Sequence, residues 1–170
     1  MIIGNYSTST HYYKIARKYQ YSNKLQQSFA YNFETLFKNK QCTKIITDLT
    51  PIFGFAMCDA ALKLKLPIKL QLPFKKFYVS WSDDLQQRVL FYLNHKNIEI
   101  KYTDTREFGR WKININNEKI VSQCDLILSL KAPNSLDTND TYIVNRCKHY
   151  ESEYWNLYKH WQHTLNKFGE

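Results

Sequence analysis

The stretch best suited to chemistry runs from Ile45 to Ala61, IITDLTPIFGFAMCDAA. An apolar, β-branched run ends at Thr47-Asp48. A turn with Thr50, Pro51 and Gly54 follows, and then a helical pattern carrying Phe55, Asp59, Ala60 and Ala61. A helix that begins just beyond a strand presents unpaired backbone N–H groups and the positive end of its dipole, which suits an anion. Gly54 would let a ligand approach the backbone, and Asp59 lies about one and a half turns further along. Asp48 has the wrong sign for a phosphate and suits a cation or a ribose hydroxyl. A second candidate is Gly4-Asn5-Tyr6-Ser7-Thr8-Ser9-Thr10, rich in hydroxyls and backbone donors. Its competing reading is a polar segment with nothing bound.

Positioning these residues requires strands that end beside one another. Met1 to Gly4 is a short apolar run that reads as a first strand, and Ile45 to Leu49 as a second. Ile68 to Leu72 alternates between Pro67 and Pro73, Ile98 to Tyr102 is a further short strand, and Asp125 to Leu130 is an apolar run suited to burial on both faces. Between them lie helical patterns. Leu25, Phe29, Phe33, Leu36 and Phe37 share one face of a helix over 25–38. Phe55 to Leu66 is helical until Pro67, and Ser82 or Asp83 caps a helix reaching about His95. Residues 111–121 suit a hairpin about Asn116-Asn117 or a loop leading into a short helix. Ile143, Cys147, Tyr150, Tyr154, Leu157, Trp161 and Leu165 keep helical spacing, which predicts one long C-terminal helix over 142–167. Strands alternating with helices predict a single α/β domain over 1–170 with a mostly parallel sheet.

The chain has 24 Lys and Arg against 15 Asp and Glu, a formal charge of +9. That excess favours an anionic partner, or else serves as a solvating surface. Cys42, Cys58, Cys124 and Cys147 form no CxxC pair and read as reduced, packed thiols of a cytoplasmic protein. His160 and His163 stand at i, i+3 with no acidic ligand at matching spacing, so they read as a solvated face and no metal or cofactor is expected. The N-terminal residues do not read as a signal peptide, and no apolar window long enough to span a membrane is expected. The segment from His11 to Lys24 interleaves His11, Lys14, Arg17, Lys18 and Lys24 with Tyr12, Tyr13, Tyr19 and Tyr21. That pattern suits stacking with charge, or an amphipathic helix packing Tyr13, Ile15 and Tyr19.

Ile46-Thr47-Asp48, Gly54, Asp59 and Ala60-Ala61-Leu62, taken in order, resemble the Rossmann-like SLOG superfamily, above all its YpsA-like branch, with the DprA and LOG families as more distant relatives. The similarity continues through Leu72-Pro73-Phe74, Trp81, Gln86-Gln87 and Asn117 to Val121, and covers about residues 30 to 130. It implies a Rossmann-like three-layer domain and favours a helix over a hairpin near residue 118. It also implies a ligand pocket at the strand ends, drawing on Gly4, Asn5, Ser7, Thr8, Asp48, Thr50, Gly54, Phe55, Asp59, Trp81, Asn117, Asn134, Ser135, Thr138 and Thr141. The chain departs from the family at Asp48, where a glycine is usual, and at 132–141, which lacks the LOG-type glycine-rich loop.

The function these features imply is binding of a nucleotide or nucleotide-derived signal without turnover. In a virus or mobile element such a protein would act as a sponge against host defence signalling. The first alternative is a LOG-like hydrolase of the nucleotide N-glycosidic bond, for which Glu34, Asp48 and Asp59 are the candidate carboxylates. The second is a DprA-like nucleic-acid binder. A homo-oligomer through the C-terminal helix is the expected assembly.

Overall fold

The computed structural model describes residues 1–6, 23–104, 110–130 and 139–168. Strand and helix alternate along the chain: β1 (Ile2–Asn5), α1 (Asn23–Asn39), β2 (Lys44–Thr47), α2 (Phe53–Lys63), β3 (Ile68–Leu72), α3 (Asp83–Leu93), β4 (Ile98–Tyr102), α4 (Arg110–Val121), β5 (Leu126–Ser129), α5 (Asn139–His149), β6 (Glu153–Asn156) and α6 (Tyr158–Phe168). Among the described residues the six strands form one sheet in the order β4-β3-β2-β1-β5-β6, and every pairing is parallel. The chain steps outward from β1 to β4, returns to the other side of β1 at β5, and ends at β6. This layout is consistent with a Rossmann-like fold.

Side chains alternate across the strands into two apolar layers. Ile3, Ile45, Leu126 and Leu128 join α1, α2, α3 and α6 in the larger cluster. Ile46 and Ile127 join Ile120 and Val121 of α4 and Ile143 and Cys147 of α5 in the smaller one. Helices therefore flank both faces. The α4 region sits so close to β1 that a Cβ on Gly4 would lie 2.6 Å from Cys124 Sγ and 2.8 Å from Ile120 Cγ2. Residues 110–121 are a helix, which removes the hairpin alternative.

The single long C-terminal helix is corrected to a helix, an edge strand and a second helix. At the break Glu151 takes φ 58, Ser152 N–H donates to Cys147 O at 2.8 Å and Glu151 N–H to Lys148 O at 3.3 Å. This pair of bonds is the Schellman ending, normally built on glycine. Ser152 Oγ then donates to Cys124 O at 2.7 Å, turning the chain so that Tyr154 lies beside Ile127 in β6. Gln41 ends α1 and Lys65 ends α2 through the same two bonds, at φ 51 and φ 56. A left-handed conformation costs a non-glycine residue roughly 1–2 kcal/mol, partly offset by the greater freedom glycine loses on folding. Glu151→Gly is therefore expected to stabilise the protein by about 0.5–1 kcal/mol, read as a higher urea midpoint at unchanged slope. A lower midpoint would show that the Glu151 side chain matters more than its backbone.

All four cysteines are free and buried. Burial pushes the Cys147 thiol up to about 11 and raises those of Cys42, Cys58 and Cys124 as well. The Tyr92 hydroxyl is raised chiefly by burial. An unfolded thiol ionises near ~8.5, so above that pH the unfolded chain loses protons that the native state keeps. The stability these groups contribute is complete below pH ~8.5 and is lost as pH rises toward their folded values, on the order of 1 kcal/mol per pH unit for each such thiol. Urea midpoints should be level between pH ~7 and ~8 and fall steeply from ~9 to ~11. A flat profile to pH ~11 would show that the thiols are open to solvent.

Candidate functional site

In an open parallel sheet, ligands bind outside the carboxyl ends of the strands, where the strand order reverses. Here that point lies between β1 and β5, with Asn5 in register with Leu128 and Tyr6 N–H donating to Leu128 O at 2.9 Å. Buried polar residues gather along this edge: Asn5, Thr47, Asp48, Thr50, Gln71, Asn116, Asn117, Lys112 and Ser129. Gln26 on α1 is the remaining buried polar side chain among the described residues.

The first cluster joins β1 to the turn after β2. Asn5 Nδ2 donates to Asp48 Oδ1 at 2.7 Å and to Thr50 Oγ1 at 3.3 Å, and Asp48 N–H donates to Asn5 Oδ1 at 3.2 Å. Asp48 Oδ1 also accepts Thr50 N–H at 3.0 Å and Thr50 Oγ1–H at 2.5 Å. The first of these is an Asx turn, which suits an aspartate leaving a strand. Asn5 and Asp48 are both 0% exposed.

The turn they hold is strained. Leu49 sits at φ 59. Ile52 sits at φ 67, ψ −60 while Phe53 N–H donates to Pro51 O at 2.8 Å. That is the rare γ-turn, here on a β-branched residue. Each such conformation costs about 1–3 kcal/mol and persists only where the surroundings enforce it, a pattern common at ligand sites.

The donors at the start of α2 are engaged by the turn itself. Gly54 N–H and Phe55 N–H donate to Thr50 O at 2.9 and 3.3 Å, and Ala56 N–H to Ile52 O at 2.9 Å. A Cβ on Gly54 would lie 3.0 Å from Thr47 Oγ1 and 3.1 Å from Leu49 Cα. Gly54 therefore admits its own turn, as Gly4 admits α4; the close approach signalled by these glycines is to protein. Phe55 is a core side chain whose ring lies 5.5 Å from that of Tyr92.

Asp59 belongs to a separate network that binds α1, α2 and α3 together. Its Oδ2 accepts Gln26 Nε2 at 2.5 Å and Arg88 Nη2 at 2.8 Å, and its Oδ1 accepts the Tyr92 hydroxyl at 2.7 Å. Glu34 pairs with Lys63 at 2.9 Å, at the last residue of α2 and about 15 Å of helix from the turn. The three candidate carboxylates thus occupy three different places. Trp81 is buried in the loop after β3, edge-on to Phe77, with its carbonyl accepting Gln86 Nε2 at 2.8 Å.

A second polar cluster, missed from sequence, lies at the ends of β3 and β4. Asn116 Nδ2 donates to Gln71 O at 2.7 Å, Thr103 Oγ1 donates to Asn116 Oδ1 at 2.6 Å, and Gln71 Nε2 reaches Thr103 Oγ1 at 3.1 Å. Beside it Lys112, its side chain 5% exposed, pairs with Asp104 at 3.3 Å. Its sequence signal was Gln71, a polar residue at the end of an alternating strand, together with the doubled Asn116-Asn117. Asn117 is buried on α4 as well. At β5, Ser129 Oγ lies 2.7 Å from Tyr154 Oη.

Ser7, Thr8, Asn134, Ser135 and Thr138 lie outside the described residues, as does the cationic and aromatic run from His11 to Ser22. Thr141 falls within α5. His149 ends α5, whereas His160 and His163 stand on α6. Among the described residues no cluster of His, Cys, Asp or Glu side chains could hold a metal ion, and no helix is long and apolar enough to cross a membrane. No protein-family model matches the chain, and no curated protein matches it.

Proposed function

We propose that the carboxyl edge of this sheet binds a nucleotide or nucleotide-derived ligand without turning it over. The observation that carries this reading is the gathering of buried polar side chains along the carboxyl edge of the sheet, with Asn5 and Ser129 on the two strands that flank the point where the strand order reverses. The strained turn at Leu49 and Ile52, held by Asn5, Asp48 and Thr50, supports it. Asp48, fully buried at the end of the second strand, shapes that turn from beneath rather than facing a ligand. The net charge of +9 draws the phosphate-bearing ligand in. Binding without turnover is favoured because Glu34, Asp48 and Asp59 lie in separate networks, so no two of them could share acid and base roles. The SLOG-like assignment, and the part of a sponge for signalling nucleotides, extend this reading.

Native mass spectrometry of the purified chain, followed by denaturation and nucleotide analysis, tests it. A retained nucleotide recovered intact is the expected result. Free base accumulating from added nucleoside monophosphates would replace binding by hydrolysis. Failure of a panel of nucleotides to bind at millimolar concentration would remove the reading.

A further inference from the structure

One opening lies away from the Asn5–Asp48 cluster, along the free edge of the sheet. It is an open groove of about 700 Å³ between α1, β6 and α6, continuing into a second of about 400 Å³. Trp155 and His160 line both. Edge-strand geometry exposes Trp155 to 37%, and Tyr31 on the outer face of α1 is 68% exposed. Two large rings are thus left to water along a groove that Lys40 also lines. Lys40, His160 and His163 line the same groove, and none of its described lining residues is a carboxylate, although Glu153 reaches Lys40.

Lys40 shows how the groove handles charge. Its ammonium sits 4.0 Å from the Trp155 ring centroid and 3.9 Å from Glu153 Oε2. The ion pair is long, with Glu153 exposed and Lys40 half-buried, so a phosphate can draw the ammonium away at modest cost. A protein partner would call for a broad apolar patch with charge kept to its rim. Exposed rings with a lysine in an open channel instead match what a base and its phosphate require.

From this juxtaposition we infer that the α1–β6–α6 groove binds single-stranded nucleic acid, with Trp155 and Tyr31 stacking bases and Lys40 contacting phosphate. The site is independent of the carboxyl-edge ligand. The groove's openness lets a strand pass through, and the net charge of +9 favours a polyanion over a single anion.

Fluorescence anisotropy with a labelled oligothymidine of about 12 nucleotides, using the full chain, tests the inference. Wild type should bind at ~50 mM salt and weaken steeply by ~200 mM. Trp155→Ala should weaken binding by about tenfold or more, whereas Trp155→Phe, which keeps a stacking face, should retain most of it. Lys40→Glu should weaken binding and flatten the salt dependence. Thermal unfolding of each variant controls for folding, and nucleotide retention at the carboxyl edge should be unchanged, so each reading can fail alone. Absence of binding at ~50 mM salt overturns the inference, as does Trp155→Ala binding like wild type. So does a groove variant that changes the subunit count on gel filtration without changing oligonucleotide affinity, because the groove is then an interface between copies of the chain.

Discussion

Replacing Asp48 with alanine is expected to remove about 3–5 kcal/mol of stability, the scale seen when a buried charged group is taken from its partners. One oxygen, Oδ1, accepts from Asn5 Nδ2, Thr50 N–H and Thr50 Oγ1–H. Alanine leaves these donors without that acceptor at a place closed to water, where each lost partner costs about 1–3 kcal/mol. The same bonds hold Thr50 between the positive-φ residues Leu49 and Ile52. Without them the strain is opposed less well, although Gly54 N–H and Phe55 N–H still donate to Thr50 O, and the turn loosens against the start of α2. Against a total stability of about 5–15 kcal/mol, the loss should be plain in urea unfolding as a large fall in midpoint. Asp48→Asn keeps an oxygen in place and should cost less, about 1–2 kcal/mol. That milder variant separates structure from function: folded Asp48→Asn should bind nucleotide about tenfold more weakly if the shape of this turn sets the ligand site. An Asp48→Ala protein as stable as wild type would show that the strained turn is held by something else.

The residue type and strand-end position of Asp48 were legible in the sequence; its partner was not. Asn5 stands far away in the chain, and they meet only because β1 and β2 pair with Gly4 opposite Ile46. The cluster of Gln71, Thr103 and Asn116 was hidden for the same reason, since it needs α4 seated over the end of β3. Strands with proline borders or clear alternation could be read directly, and β3 occupies the predicted span Ile68–Leu72. Glycine was misleading in two ways. Gly4 and Gly54 did mark close approaches, but the approaching atoms belong to the protein's own chain. And the helix ends at Gln41, Lys65 and Glu151 adopt a glycine conformation without glycine. Pro67 betrayed the second of these. Nothing betrayed the third, because aromatic residues keep a helical rhythm straight across Glu151-Ser152 into a strand.

Trp161 carries the consequence of that hidden break. Had 142–167 been one helix, this residue would have been free to form a seam with another copy of the chain. Instead it lies on α6, 8% exposed, with its ring 4.8 Å from Phe29, 4.8 Å from Phe33 and 5.9 Å from Phe53. Leu157, 3% exposed, is the other anchor, with its N–H donating to Ser129 O at 2.9 Å. Trp161→Ala should therefore cost about 3–5 kcal/mol, from lost burial and from the cavity left between α1 and α6. Trp161→Phe, which refills part of that space, should recover more than half. The damage should travel in a defined order. Amides of α6 lose hydrogen-exchange protection first, then those of α1 over Phe29 and Phe33, because these rings lose their cover. Phe53 opens α2 directly after the strained Ile52, so loosening its ring also weakens the frame that enforces the turn. Trp161→Ala should on that account weaken ligand binding at the carboxyl edge although Trp161 is not part of the Asn5–Asp48 cluster. A Trp161→Ala midpoint within about 0.5 kcal/mol of wild type would mean that α6 is not docked on α1, and would restore Trp161 to the surface.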